Sequence, residues 1–332
     1  MKPSHMNLPP SEFVRVPHER LHAFVSAASR IVGLPDDKAR LLADLLTGND
    51  LRGVFSHGTR QIAAYARLMR DGKLNNRPDV HLVHETPQTV LVDGDGGLGY
   101  FPAYDATLRT IEKAEATGMA IGMTRNHGHF GAAGLYARMT LDHDLLSFVT
   151  SGHQLNLSEG DPINVAAGGS PFAFSAPAGE EDDLLLDFGT MHDLYLGDPY
   201  REELERMVPG LVMRHIGMGA ICQTWGGFLA GIPVDPARAQ RQWPGGNQGS
   251  LVFTFRIDLF QPPERFKAEM DEYVRRVRRM RPLAAFEEAY LPGGVEAARE
   301  REYREKGVPV GPEHRQALEG LAQELGIEAP WA

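Results

Sequence analysis

The sequence has very little cysteine and no long apolar run. Cys222 is the only cysteine among 332 residues, which excludes an intramolecular disulfide and a cysteine-rich zinc site and favours a reducing, cytoplasmic setting. Its flanking residues indicate packing rather than a nucleophile. No apolar stretch approaches the roughly 18 residues that a membrane span needs, and the first residues form no apolar signal core. We therefore expect a soluble protein.

Excess positive charge is also lacking. Lys and Arg number 34 against 44 Asp and Glu, so the formal net charge is -10. Nucleic acids and anionic membranes attract a basic footprint. The arginines between residues 275 and 281 accompany apolar residues at helical spacing, so we expect them to cover a solvated helix face. The sequence predicts neither nucleic-acid nor membrane binding.

Hydrophobic periodicity predicts an α/β core between helical ends. Helices are expected at residues 18–33, 36–49, 59–71, 102–117, 131–143, 263–281 and 313–325. Strands are expected at 81–83, 89–93, 119–124, 145–150, 183–188 and 249–257, with a long loop at 151–171. A chain of this length forms about two domains. We expect residues 1–78 and 262–332 to form one discontinuous helical unit and residues 79–261 to form the central α/β domain.

A glycine-rich segment at residues 94–99 matches G-x-G-x-x-G between a strand and a helix. Taken alone, this pattern is typical of a Rossmann dinucleotide fingerprint. Asp93 and Asp95, however, place carboxylates where a pyrophosphate would sit, and the composition is that of an ordinary turn. We interpret the segment as a turn.

Two glycine-flanked histidines are candidates for proton transfer. His57 stands in Ser56-His57-Gly58 at the expected junction of two helices, and His129 stands in a second motif at residues 127–131. Imidazole has the side-chain pKa nearest neutrality, and a neighbouring glycine permits close approach of a ligand. A surface or hydrogen-bonded core role is the alternative for both.

Three further observations bear on a site. Asp187 ends an expected strand and could orient a histidine, although a capping role is equally open. Arg60 could bind a substrate carboxylate through two hydrogen bonds, although an exposed arginine is often only a solvated charge. No metal site is expected, because the histidines at 127 and 129 lack the usual ligand spacing.

In this order the motifs resemble the malate/L-lactate dehydrogenase family, which also contains sulfolactate, ureidoglycolate and 2,3-diketogulonate dehydrogenases. The resemblance covers about residues 15–328. It is carried by Gly53-Val54-Phe55-Ser56-His57-Gly58, Val92-Asp93-Gly94-Asp95-Gly96-Gly97-Leu98-Gly99, Arg125-Asn126-His127-Gly128-His129-Phe130-Gly131-Ala132, Leu186-Asp187 and Leu291-Pro292-Gly293.

The resemblance implies a non-Rossmann α/β fold with a predominantly antiparallel central sheet, and a homodimer. It implies hydride transfer between NAD or NADP and a small 2-oxo or 2-hydroxy acid or a cyclic imino acid. His57 would be the acid/base, with His129 and Asp187 beside it in the catalytic set. Substrate contacts would fall on Ser56, Arg60 and Arg125. Cofactor contacts would fall on Ser170, Asp183, Leu184, Leu185, Leu186, Asp187, Phe188, Gly189, Met213, Arg214, Gly293 and Gly294.

The sequence departs from the family pattern at several contact positions. Gly169 and Ser170 replace threonine and asparagine, Arg214 replaces lysine, Val295 replaces glutamate, and Gln61 stands where an arginine is expected. These departures keep an alternative open. The protein would then be a redox-silent relative with lyase, isomerase or hydrolase chemistry, or one that only binds a metabolite. We favour the dehydrogenase because serine and arginine retain hydrogen-bonding ability at their positions.

Overall fold

The computed structural model describes residues 8–284 and 286–331. These residues form nine strands and ten α-helices. In chain order they are β1 (Val14–Val16), α1 (His18–Ile31), α2 (Asp36–Leu51), α3 (Ile62–Arg70), β2 (His81–Glu85), β3 (Thr89–Asp93), α4 (Tyr100–Thr117), β4 (Met119–His127), α5 (Gly134–Met139), β5 (Leu145–His153), β6 (Pro171–Ala176), β7 (Leu184–Gly189), α6 (Arg201–Met207), α7 (Pro209–Cys222), β8 (Gln248–Arg256), α8 (Pro263–Arg278), α9 (Gly294–Lys306), β9 (Val308–Val310) and α10 (Pro312–Leu325).

The chain divides into two compact units. The sheet unit is Asp79–Pro292, and the helical unit consists of residues 8–78 and 293–331. Residues 262–284 and 286–292, expected in the helical unit, therefore lie in the sheet unit. The reason is α8, whose Asp271 accepts hydrogen bonds from the backbone N–H groups of Gly179, Glu180 and Glu181 at 2.9, 3.1 and 3.1 Å.

The sheet unit is built on a seven-stranded sheet in the order β2-β3-β4-β8-β5-β6-β7. Only the β3–β4 pair is parallel, so the sheet is mostly antiparallel, as the resemblance implied. Helix α4 packs on β3 and β4, where Ile111 and Ala114 join a buried cluster. Gly122 permits the close approach, because a Cβ there would lie 2.2 Å from the Thr110 hydroxyl.

One face of the sheet carries an apolar row across five neighbouring strands. The strand register places Ile121 beside Phe253, Phe253 beside Phe148, Phe148 beside Phe174, and Phe174 beside Leu186. Successive side chains of a strand alternate between faces, so this row lies opposite the face that packs against α4. Ile121 is 38% exposed and Phe174 is 45% exposed. We call this row the aromatic face.

The helical unit joins both ends of the described chain. Strands β1 and β9 pair antiparallel, with Val14 beside Val310 and Val16 beside Val308. Helices α1 and α2 bury Leu21 and Leu42 completely, and α10 does the same with Leu318. Within the described residues, no helix is long and apolar enough to cross a membrane.

Candidate active site

His57 lies on a loop between α2 and α3. This loop contains two 3-10 turns, Phe55–His57 and Thr59–Gln61, so the α-helix expected at 59–71 begins at Ile62. The Ser56 hydroxyl oxygen lies 2.9 Å from His57 Nδ1. Asn49 Nδ2 donates to the His57 carbonyl oxygen at 2.9 Å. The ring of His57 therefore has a fixed polar neighbour, and its backbone is held by α2.

A buried polar network connects this loop to α2 and α10. Both the backbone N–H and the hydroxyl of Thr59 donate to Asp50 Oδ2, at 3.0 and 2.5 Å. His314 Nε2 lies 2.9 Å from the same hydroxyl. Burial raises the pKa of Asp50 and lowers the pKa of His314. Both directions favour the uncharged forms of this pair.

Gly58 is required by this network. A Cβ at position 58 would lie 1.7 Å from Asp50 Oδ1, which leaves no space for any side chain. Gly58 is thus needed for packing, in addition to the close approach of a ligand that a glycine beside His57 permits. Sequence reasoning missed Asp50, Thr59 and His314, because no local pattern joins residues separated by as many as 255 positions.

Arg60 and Gln61 follow on the next turn. Arg60 NH1 lies 3.4 Å from Glu313 Oε2 in an exposed ion pair, a kind of pair that contributes about 0–1 kcal/mol. Gln61, which stands where the resemblance expects arginine, donates from Nε2 to the Ser56 carbonyl oxygen at 2.5 Å. Gln61 therefore braces the loop, and Arg60 has a weak partner that a substrate carboxylate could replace.

The second histidine motif follows β4. His127 is completely buried, with Nδ1 2.7 Å from the Gly128 carbonyl oxygen and Nε2 2.7 Å from the Thr124 hydroxyl. Desolvation lowers the pKa of His127 to about 4. His127 is therefore neutral at pH 7 and structural. His129 is only partly buried, and its carbonyl oxygen accepts a hydrogen bond from Gly99 N at 3.0 Å.

Asp187 connects β7 to the helix that follows His129. Its Oδ2 accepts a hydrogen bond from Gly134 N, the first residue of α5, at 2.9 Å. The structure thus shows a capping contact, made to another helix rather than to one that follows Asp187. Asp187 also lies inside β7 and not at its end. Asp187 and the loop after His129 are brought together at this point.

The cofactor stretch expected at residues 183–189 is divided between the two faces of the sheet. Asp187 faces α5, whereas Phe188 lies on the opposite face, with its ring 4.5 Å from Phe172. Asp183 precedes the strand and accepts a hydrogen bond from Ala178 N at 2.7 Å. Burial raises the pKa of Asp183. The side chains of Asp187 and Phe188 therefore lie in different surroundings.

The remaining cofactor candidates lie in three places. Ser170 is 2% exposed, and its hydroxyl has no hydrogen-bond partner, while its carbonyl oxygen accepts from the Thr190 hydroxyl at 2.9 Å. Met213 and Arg214 are exposed on α7. The neighbouring His215, which sequence reasoning missed, places Nδ1 2.9 Å from the Thr190 carbonyl oxygen. Thr190 thus joins Ser170 to α7.

Gly293 and Gly294 lie in the helical unit, at the start of α9. Gly293 has a φ of 100°, which favours glycine, and its N–H donates to Glu296 Oε2 at 3.2 Å. Glu296 follows Val295, the position at which the family glutamate is replaced. Its carboxylate caps the helix, so the shifted glutamate has a structural role here.

In the glycine-rich turn at 94–99, backbone N–H groups donate hydrogen bonds to carbonyl oxygens of the protein. Gly94, Gly96 and Gly99 donate to the backbone oxygens of Arg125, Asn126 and His129 at 3.0, 2.8 and 3.0 Å. Such donors are not available to a pyrophosphate, which agrees with the interpretation as a turn. The turn is also packed on His127, because a Cβ at position 94 or 99 would lie 2.7 or 2.5 Å from that side chain.

Arg125 is held beside this turn by Asp93. Asp93 Oδ2 accepts from Arg125 Nε at 2.9 Å, and Oδ1 accepts from Asn126 Nδ2 at 2.8 Å and from Asp95 N at 2.9 Å. Burial acts to raise the pKa of Asp93, but these hydrogen bonds outweigh it and lower that pKa. The carboxylate is therefore charged and fixes the guanidinium group of Arg125.

No group of three or more His, Cys, Asp or Glu side chains within residues 8–284 and 286–331 could hold a metal ion.

Comparison with known proteins gives one consistent family. A family model described as malate/L-lactate dehydrogenase matches residues 16–192 and 203–319. A malate dehydrogenase of Pyrococcus horikoshii is 26% identical, over 95% of this chain and 97% of that protein. A ureidoglycolate dehydrogenase (NAD(+)) of Escherichia coli O157:H7 is 21% identical, over 90% and 93%. The solved structure of a Pyrococcus horikoshii malate dehydrogenase superposes with a TM-score of 0.82 at 24% identity, covering 98% of this chain and all of the other.

Proposed function

The chain belongs to the malate/L-lactate dehydrogenase family, and we propose that it transfers a hydride between NAD and a small 2-hydroxy or 2-oxo acid. The observation that carries this proposal is the family match, which spans most of both units and includes His57, His129 and Asp187. The choice of NAD over NADP follows the relative whose name specifies NAD(+). We also propose that the cofactor binds without a Rossmann phosphate turn, since the N–H groups at 94–99 are already used.

Ser170 supports a polar ligand in the sheet unit. A buried hydroxyl without a partner costs about 1–3 kcal/mol, and Ser170 Oγ is such a hydroxyl. A cofactor group that hydrogen-bonds Ser170 would remove this cost, so the residues present fit a polar cofactor. When bound, NAD+ would accept the hydride and NADH would supply it. Ser170, Asp187, Gly189 and Arg214 are the residues that we propose to hold it.

His57 is the proposed acid/base. In the oxidation of a hydroxy acid, neutral His57 takes the hydroxyl proton, and in the reverse direction the imidazolium returns a proton to the developing alkoxide. Ser56 Oγ lies 2.9 Å from Nδ1, and we propose that Nε2 is the nitrogen that transfers the proton. We propose Arg60 and Arg125 as contacts for the substrate carboxylate, and His129 with Asp187 as further members of the catalytic set.

The test separates cofactor binding from proton transfer. Purified protein is titrated with NADH and with NADPH by nicotinamide fluorescence, and turnover is then measured on a panel of 2-oxo acids. His57→Gln should lower kcat about 100-fold or more while the Kd for NADH is unchanged. His84→Gln, on an exposed strand, is the matched control and should change neither value.

Two results would contradict this proposal in different ways. Near-normal turnover of His57→Gln would show that another group transfers the proton. Absence of NADH and NADPH binding to the folded protein would exclude the dehydrogenase itself.

We further propose a homodimer in which a second copy covers the aromatic face. Large exposed apolar patches mark interaction surfaces, and Phe174 and Ile121 remain 45% and 38% exposed across this row. Light scattering should give twice the chain mass for the wild type and a single chain mass for Phe174→Asp. Tyr273→Asp, at an exposed position on α8, should remain dimeric. A wild-type monomer would contradict the proposal.

A further inference from the structure

A polar cavity of about 450 Å³ opens in the sheet unit beside the glycine-rich turn. Its lining includes Asp93, Arg125, Asn126, Arg238, Arg241 and Asn247. Its volume falls within the range of small-ligand sites, about 300–1,000 Å³. Neither Arg238 nor Arg241 belongs to any motif discussed above.

The charges that line the cavity do not cancel. Asp93 is its one acidic lining residue, and it is already paired with Arg125. Arg238 Nε lies 3.9 Å from Asp235 Oδ2, and both side chains are more than half exposed, so this pair neutralises Arg238 only weakly. The lining therefore carries an excess positive charge, which Arg238 and Arg241 contribute.

Arg241 is positioned by an uncharged group. Its NH2 atom donates to the Gln154 amide oxygen at 2.6 Å. No carboxylate in the described part of the chain lies within ion-pair distance of it, and desolvation lowers its pKa. A guanidinium group that is partly buried, oriented and not neutralised favours the approach of an anion.

Gln154, which holds Arg241, is itself held by hydrogen bonds to two backbone carbonyl oxygens. Gln154 Nε2 donates to the Pro233 carbonyl oxygen at 2.8 Å, and Gln154 N donates to the Asn247 carbonyl oxygen at 2.9 Å. Elsewhere in the lining, Asp93 holds both Arg125 and Asn126. Hydrogen bonds within the protein thus fix several of the lining side chains, which reduces the entropy lost on binding.

We propose that this cavity binds a doubly negative oxyanion, a dicarboxylate or a phosphate group, through the guanidinium groups of Arg238 and Arg241. Planar guanidinium groups bind either anion through paired hydrogen bonds. Two cations not balanced by strong ion pairs match two negative charges. The site needs neither NAD nor turnover, so it stands or falls independently of the dehydrogenase.

Trp243 provides a direct reporter of binding. Its side chain packs on the glycine-rich turn, where a Cβ at Gly96 would lie 2.2 Å from Trp243 Cδ1, and its neighbour Gln242 lines the cavity. Full-length protein without cofactor is titrated with inorganic phosphate and, separately, with succinate at constant ionic strength. Tryptophan fluorescence and isothermal calorimetry follow binding. Saturable binding of at least one anion is expected. The anion that binds more tightly shows whether the site prefers a phosphate group or a dicarboxylate.

Variants test whether the two arginines carry the binding. Arg241→Gln and Arg238→Gln should each weaken binding of the preferred anion about tenfold or more, because each removes a charged hydrogen bond. Arg276→Gln, at an exposed position on α8, removes the same charge elsewhere and should change affinity less than twofold. Thermal unfolding verifies that each variant is folded, and the two arginine variants test the site separately.

Failure of both anions to saturate the protein would overturn the proposal. Equal affinity of wild type, Arg241→Gln and Arg238→Gln would also overturn it, since the anion would then bind elsewhere. NADH titration of the same samples keeps this outcome separate from the proposed dehydrogenase activity.

Discussion

The buried imidazole of His127 should make the stability of the sheet unit fall between pH 6.5 and pH 4. Desolvation lowers the pKa of His127 from 6.5 to about 4 in the folded protein. Below pH 6.5 the unfolded chain therefore gains a proton that the folded chain does not bind. The penalty is absent above pH 6.5, grows as the pH falls, and reaches its full value below pH 4.

The size of this effect follows from the shift. Each pKa unit is worth about 1.4 kcal/mol, so lowering the pH from 7 to 4.5 should lower the free energy of unfolding by about 2–3 kcal/mol through His127 alone. Burial is the cause that lowers the pKa, and it outweighs the hydrogen bond between Nδ1 and the Gly128 carbonyl oxygen and the charge of Asp93, both of which act to raise it.

Urea unfolding at several pH values isolates this contribution. Carboxylates also titrate in this range, so the quantity compared is the pH-dependent loss of stability in the wild type against that in His127→Gln. The wild type should lose about 2–3 kcal/mol more, whatever stability the variant has at pH 7. The exposed His84→Gln should follow the wild-type curve. Parallel curves for the wild type and His127→Gln would refute the reasoning.

Three further predictions concern buried groups. Gly58→Ala should lower the free energy of unfolding by about 1–3 kcal/mol or more, because its Cβ would overlap Asp50; unchanged urea unfolding would contradict this. Thr59→Val removes both hydroxyl contacts within the Asp50 network and should cost about 1–3 kcal/mol, whereas the exposed Thr86→Val should cost less in the same assay. Asp271→Ala should speed amide hydrogen exchange at residues 179–181, because the Asp271 carboxylate accepts hydrogen bonds from their N–H groups. Exchange in the variant as slow as in the wild type would exclude the capping role.

Elements with a strong period could be predicted from the sequence. Helices α1, α2 and α4 and strands β3 and β8 lie within two residues of their expected bounds. Strand β6 was missed because it begins with Pro171 and the segment before it reads as a loop rich in glycine and proline. The unit of α8 was misassigned for a different reason. Hydrophobic spacing identifies a helix, but it does not reveal the three backbone N–H groups that Asp271 caps.

The candidate site was predictable only where its residues are neighbours in the sequence. The Ser56-His57-Gly58 motif could be identified, and the contact between Ser56 and His57 is local. Asp50, Thr59 and His314 could not be connected, because their network depends on the packing of α10 residues against the loop. Arg238 and Arg241 stand in a polar segment without periodicity, so only the folded chain shows that they line the same cavity as Arg125.

The sheet unit is inserted into the helical unit along the chain, and this has a consequence for synthesis on the ribosome. Strand β1 pairs with β9, so the helical unit cannot close until the roughly two hundred residues of the sheet unit have been made. At about 5–20 residues per second the delay is on the order of 10–40 s. During that time α1 lacks its contacts with α10. The nascent chain therefore passes through a stage in which a molecular chaperone that holds exposed apolar helices would improve the yield of folded protein.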